Sequence, residues 1–189
     1  WASQKGSSIL RTTCYEGETT QPFGPWIDAI RKHSAFVGSE ILQDQLSGVN
    51  VIITELIPEF HALFPGEESP APVSPADARA TLFSAIRRFI QNCANLQPMA
   101  IAIDNLQWAD RESLRLLLHV AVDLAQSPVM IIGSCRESAI ERSVSLSNIL
   151  PDLAKVEGFH RVHPRELMVE DVKAFVSQMT AGAEVPVDA

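Results

Sequence analysis

Met99-Ala100-Ile101-Ala102-Ile103-Asp104-Asn105-Leu106-Gln107-Trp108-Ala109-Asp110 decides the fold. Five apolar residues run without a break into a carboxylate. A polar turn and a long apolar periodic segment follow. A short continuous apolar run of this kind, with β-branched residues and turn residues at its end, reads as a strand of a parallel sheet buried on both faces. Asp104 then lies at the strand's C-terminal end, the edge at which open α/β sheets bind ligands.

Outward from that strand the pattern alternates. Upstream, Ser74-Pro75-Ala76-Asp77 opens a helix: Ser74 caps it, Pro75 suits its first turn, and Asp77 complements the positive end of its dipole. Leu82, Phe83, Ile86, Phe89, Ile90 and Cys93 follow on one stripe at helical spacing. Downstream, Asp110 caps a helix over about 111–125. Its leucines and valines occupy most of its circumference, which predicts burial against both a sheet and a neighbouring element. Val129 to Cys135 is a second buried strand, ending at Arg136-Glu137.

Ser8 to Cys14 reads as a further strand. Pro25 heads a helix bearing Trp26, Ile27 and Ile30, and helices are expected at 40–46 and 49–57. The second of these has a strand-like rival in Val49 to Thr54. Pro65 to Pro75 is an exposed loop. Segment 145–156 is helical in pattern, with Pro151 starting, kinking or interrupting it. Phe159 to His163 predicts one more short strand, and Val169 to Met179 an amphipathic helix. The order implies an α/β fold, a mainly parallel sheet with right-handed crossovers.

Composition excludes several classes. The 189 residues are 46% hydrophobic and 20% charged, as in a globular chain. The net charge of −8 and the lack of any Lys/Arg block argue against a nucleic-acid-binding face. Cys14, Cys93 and Cys135 are odd in number and widely spaced, which reads as buried thiols of a reducing, cytoplasmic compartment. No run approaches a membrane span, and no signal peptide is visible. The chain opens mid-pattern at Trp1, so it reads as a fragment of a longer protein. His160 and His163 fall on opposite faces of a strand, which argues against a metal pair.

Ile101 to Asp110, with Ser113-Leu114 and Leu116-Leu117, resembles the Walker B segment of the STAND branch of AAA-type P-loop ATPases. These are the switch modules of LuxR-type, MalT-like activators and of multidomain adenylate cyclases and kinases. Cys14 to Gly17 with Pro22 to Trp26, Leu56 to Phe60, Ile131 to Glu137, and Arg161 to Leu167 with Glu170 to Val172 resemble further segments in the same order. The resemblance implies an α/β core of P-loop NTPase type, incomplete at its N-terminus. Residues 1–166 would be a partial core running from the family's second strand to its last, and 167–189 the start of a helical lid.

The site residues follow from the same resemblance. Asp104 would hold Mg²⁺. Asn105 stands where the family commonly has a second acid; an amide cannot serve as a general base but can orient a water. Arg136 would read the γ-phosphate of ATP by charge-assisted hydrogen bonds. The rival readings are a strand-ending carboxylate, a turn residue, and a surface arginine paired with Glu137 or Glu141. Gln107 either faces the phosphates or is a polar loop group, and Trp108 packs beneath the turn.

The pattern departs from the family at one point. A P-loop needs G-x-x-x-x-G-K-[ST], and no glycine in this chain is followed by lysine. In the family that motif would lie just upstream. The intact parent is therefore expected to be a slow ATP- and Mg²⁺-dependent switch, and this fragment to be inactive with no tight ligand. Its partners would be effector and sensor domains of the same polypeptide, together with self-association, with no direct nucleic-acid contact and no membrane. The alternative is a non-catalytic interaction or scaffold module that keeps the fold and lacks the site.

Overall fold

The computed structural model describes residues 7–17, 22–66 and 74–179, which fall into two compact units divided between Phe159 and His160. The loop expected at 65–75 lies largely outside the described residues.

In the first unit, β1 (Ser8–Thr13), β2 (Met99–Asp104) and β3 (Val129–Gly133) form a parallel sheet in that order. Leu10, Ile101 and Ile131 are register partners, as are Arg11, Ala102 and Ile132. Pro98 and Pro128 sit just before β2 and β3. Neither has an N–H to place in the ladder, but each supplies a carbonyl: Ser8 N–H donates to Pro98 O (2.9 Å) and Met99 N–H to Pro128 O (2.9 Å).

Helices α1 (Gly24–Phe36), α2 (Ser39–Leu46), α3 (Asn50–Leu56) and α4 (Pro75–Leu96) connect β1 to β2, with a 3-10 turn at Pro58–Leu63. The rivalry at Val49 to Thr54 resolves as helix: Ile53 is fully buried, so burial supplied by the fold outweighs β-branched preference. In α4, Asp77 N–H donates to Ser74 Oγ (3.2 Å), the expected cap. Helix α5 (Arg111–Asp123) joins β2 to β3, and Asp110 caps it by accepting from Ser113 N–H (2.9 Å). Helices α6 (Glu137–Ile140) and α7 (Val144–Leu153) follow, and α7 packs on α5. Pro151 falls in the last turn of α7, close to where the helix ends.

Both crossovers step the same way across the sheet. Right-handed connections stepping one way place their helices on one face. Leu10, Thr12, Met99, Ile101 and Ile103 face that helical layer and are buried. The opposite face carries Ile9 (44% exposed), Met130 (62%) and Ile132 (47%) around the small side chains of Ala100 and Ala102. The expectation that β2 and β3 are buried on both faces is therefore corrected. Hydrophobic content alone cannot tell a strand covered on both faces from one covered on a single face.

In the second unit the short strand expected at Phe159 to His163 does not form; residues 159–168 have no regular structure. A strand exists through its ladder, and a short strand-compatible run in the sequence does not supply a partner. Helix α8 (Val169–Met179) forms as expected. Its start is tied by Asp171, whose Oδ2 accepts from Met168 N–H (3.0 Å) and whose Oδ1 accepts from Arg165 (2.9 Å).

Among the described residues no helix is long and apolar enough to cross a membrane.

Candidate functional site

The C-terminal edge of the sheet is built by three strand ends. Cys14 N–H donates to Asp104 O (2.9 Å) and Ser134 N–H to Ile103 O (3.0 Å), so both neighbours continue the ladder past β2. At Asn105 the chain enters the left-handed region (φ 57°, ψ 48°), which asparagine tolerates better than most residues. This reverses the backbone into a 3-10 turn at Leu106–Trp108. The turn closes over β3: Leu106 N–H donates to Ser134 O (2.8 Å). Gly133 permits the approach, since a Cβ there would lie 2.4 Å from Leu106 Cδ1.

Asp104 follows Ala100 and Ala102 on the less covered face of the sheet. Its Oδ1 accepts from Asn105 N–H (3.0 Å) and from the Ser134 hydroxyl. Ser134 is the residue missed in the sequence. The signal for it is register: Ile103 pairs with Gly133, so the next residue on β3 meets the next on β2. That signal is readable only once the strands are aligned.

Gln107 is buried at 7% exposure. Its Nε2 donates to Asn105 Oδ1 (3.3 Å), and its Oε1 accepts from Arg136 N–H (3.3 Å). Asp104, Asn105, Gln107, Ser134 and the Arg136 backbone thus belong to one connected set. The Arg136 side chain itself lies over the Trp108 ring, 5.9 Å from its centroid, at cation–π distance. Trp108 is half-buried against the core, as expected of a residue packing beneath the turn.

On the α1 side a groove of about 410 Å³ opens between Cys14, Tyr15, Asp28, Lys32, Trp108 and Asp110. Its charges are largely engaged internally. Asp28 accepts from Thr12 Oγ1 (2.7 Å) and Lys32 Nζ (2.7 Å). Burial, followed by the negative charges of Asp110 and Asp104, pushes the Cys14 thiol up to about 12. A thiol held neutral is no nucleophile.

The donors around Asp104 are hard oxygens: a carboxylate, the Ser134 hydroxyl and the Asn105 amide. That chemistry fits Mg²⁺, which takes one or two carboxylates and completes its shell with phosphate oxygens and water. Among the described residues no group of three or more His, Cys, Asp or Glu is placed to hold a metal ion.

The AAA ATPase domain family matches residues 2–132, most of the chain. This chain belongs to that family. The match begins ahead of β1 and ends within β3, so it takes in the Asp104 turn and stops short of Arg136. Comparison with curated proteins and with solved structures gave no match. As a member of the AAA ATPase domain family, the chain is part of a nucleotide-binding and hydrolysing fold, and its parallel sheet with flanking helices agrees with that assignment.

Proposed function

We propose that this chain carries the Walker B and sensor elements of an ATP-dependent signalling switch of the STAND type, a cytoplasmic regulator. One observation carries the reading. A carboxylate ends the central strand, is held by the N–H of a left-handed asparagine and by a serine hydroxyl just past the next strand, and is joined through Gln107 to the backbone of Arg136.

In this reading Asp104 binds Mg²⁺, and Ser134 and the Asn105 N–H fix the carboxylate's orientation. When bound there, Mg²⁺ would supply charge neutralisation to the phosphates. Asn105 orients the attacking water through its amide. With no titrating group it takes no proton, so turnover is slow, as suits a switch. Arg136 leaves the Trp108 ring to bind the γ-phosphate oxygens. The helical segment from Val169 onward reports occupancy to effector and sensor domains of the same chain.

The test uses the full-length protein that carries this chain. Wild type is expected to bind Mg·ATP at millimolar nucleotide or below. Asp104→Asn should weaken Mg²⁺-dependent ATP binding by at least about tenfold, since even supporting residues of a metal site cost that much. Binding unaffected by Asp104→Asn, or no ATP binding at all, would instead favour a scaffold module that keeps the fold without the site.

A further inference from the structure

We infer that Gln107 is a positioning residue for Arg136: its side-chain amide acts as a bridge that fixes where the arginine starts relative to the Asp104 turn. The inference rests on the reading of Arg136 as the γ-phosphate ligand.

The amide is buried, and burying one is costly unless it is hydrogen-bonded. Both ends of this one are used, each across the gap between two different segments. Nε2 donates to the Asn105 side chain on the β2 turn. Oε1 accepts the N–H of Arg136 on the segment leaving β3. Gln107 and Trp108 are neighbours in the chain, yet they hold Arg136 at opposite ends, one by its backbone and the other by its guanidinium. The 3-10 turn is itself fixed to β3 through Leu106 N–H and Ser134 O. The turn and the backbone of Arg136 are therefore tied together, and what Asn105 meets is transmitted to the root of the Arg136 side chain.

The chemistry separates acceptor from donor. A glutamate at 107 keeps an acceptor for Arg136 N–H and loses the donor to Asn105. A methionine keeps the shape and loses both. In the full-length protein, Gln107→Met is expected to weaken Mg·ATP binding about fivefold, the scale of coupling within one hydrogen-bond network. Mg·ADP binding, which lacks the γ-phosphate, should be unchanged. Gln107→Glu, which breaks the bridge at Asn105 and adds a negative charge near the phosphates, should not recover the ATP affinity. In an Arg136→Ala background, Gln107→Met should have no further effect, because the bridge then has no arginine to place.

Equal losses for ATP and ADP, or additive effects with Arg136→Ala, would overturn the inference and reduce Gln107 to a structural residue. A second arm needs no nucleotide. Removing either the bridge or the guanidinium changes what lies on the Trp108 ring, so Gln107→Met and Arg136→Ala should shift Trp108 emission in the same direction, with both shifts lost in Trp108→Phe. If Arg136→Ala leaves the ATP-to-ADP preference intact, the reading of Arg136 fails. The emission arm then decides the bridge alone, and no shift with Gln107→Met would sink it.

Discussion

The two faces of the sheet are made from the same three strands and from similar residues, yet they serve different ends. The face of Leu10, Thr12, Met99, Ile101 and Ile103 is sealed by the helical layer and anchors the fold. The face of Ile9, Ala100, Ala102, Met130 and Ile132 is partly open, and Asp104 ends it. Alternation along β2 therefore assigns packing to one set of side chains and puts the Asp104 carboxylate in the other.

The sharpest break of this contrast is a pair of truncations. Ile101→Ala removes a side chain that is 1% exposed and should cost about 2–5 kcal/mol, transfer plus cavity. Ile132→Ala on the other face, in the neighbouring strand, should change stability by no more than about 0.5 kcal/mol. Chemical denaturation of both variants checks this. Similar losses would mean that the open face is as tightly packed as the sealed one.

Gly133→Ala probes where the turn closes over β3. The added Cβ would meet Leu106 Cδ1 and must push the side chain aside. The expected cost is about 1–3 kcal/mol, as for other overpacking. The local signature is faster amide exchange at Leu106, whose N–H is bonded to Ser134 O. Unchanged exchange there would show that the turn does not depend on this approach.

A smaller effect tests how dry the helical layer is. His33 is buried, its Nε2 donating to Gln45 Oε1 (2.8 Å) with Cys93 Sγ 3.6 Å away and the Phe89 ring edge-on. Burial lowers its pKa from 6.5, partly opposed by the bond to Gln45. Near neutral pH and above, both folded and unfolded forms are uncharged and the group has no effect. As pH falls through 6.5 the unfolded chain takes up a proton that the folded chain resists, so stability drops until the folded value is reached. The slope from one group is at most about 1.4 kcal/mol per pH unit. His33→Gln should flatten this part of the stability profile. A profile identical to wild type would mean that the layer solvates the imidazolium.

Much of this was legible in the residues. The Ser74 and Asp110 caps, the α4 stripe and the run into Asp104 depend on neighbours within a few positions, and local sequence encodes such contacts directly. The Asp-Asn-Leu-Gln-Trp-Ala-Asp run pointed to AAA-type ATPases, the level at which the family is shown. Gln107 was legible only as one of two alternatives, since its partners lie on Asn105 and, far along the chain, on Arg136. Val49 to Thr54 could not be settled locally, and Phe159 to His163 was misread, because strand or helix there depends on what packs alongside.

The sequence by itself therefore determined most of the elements, the place where the central strand ends in a carboxylate, and membership among AAA-type ATPases. The tertiary structure alone decided which face of the sheet is sealed, that Ser134 meets Asp104, and that Gln107 joins the Asp104 turn to Arg136. The physical reason is range. Caps and periodicity are set within one or two turns of chain, whereas register, winding direction and bridging hydrogen bonds join residues tens of positions apart and exist only after the strands have paired.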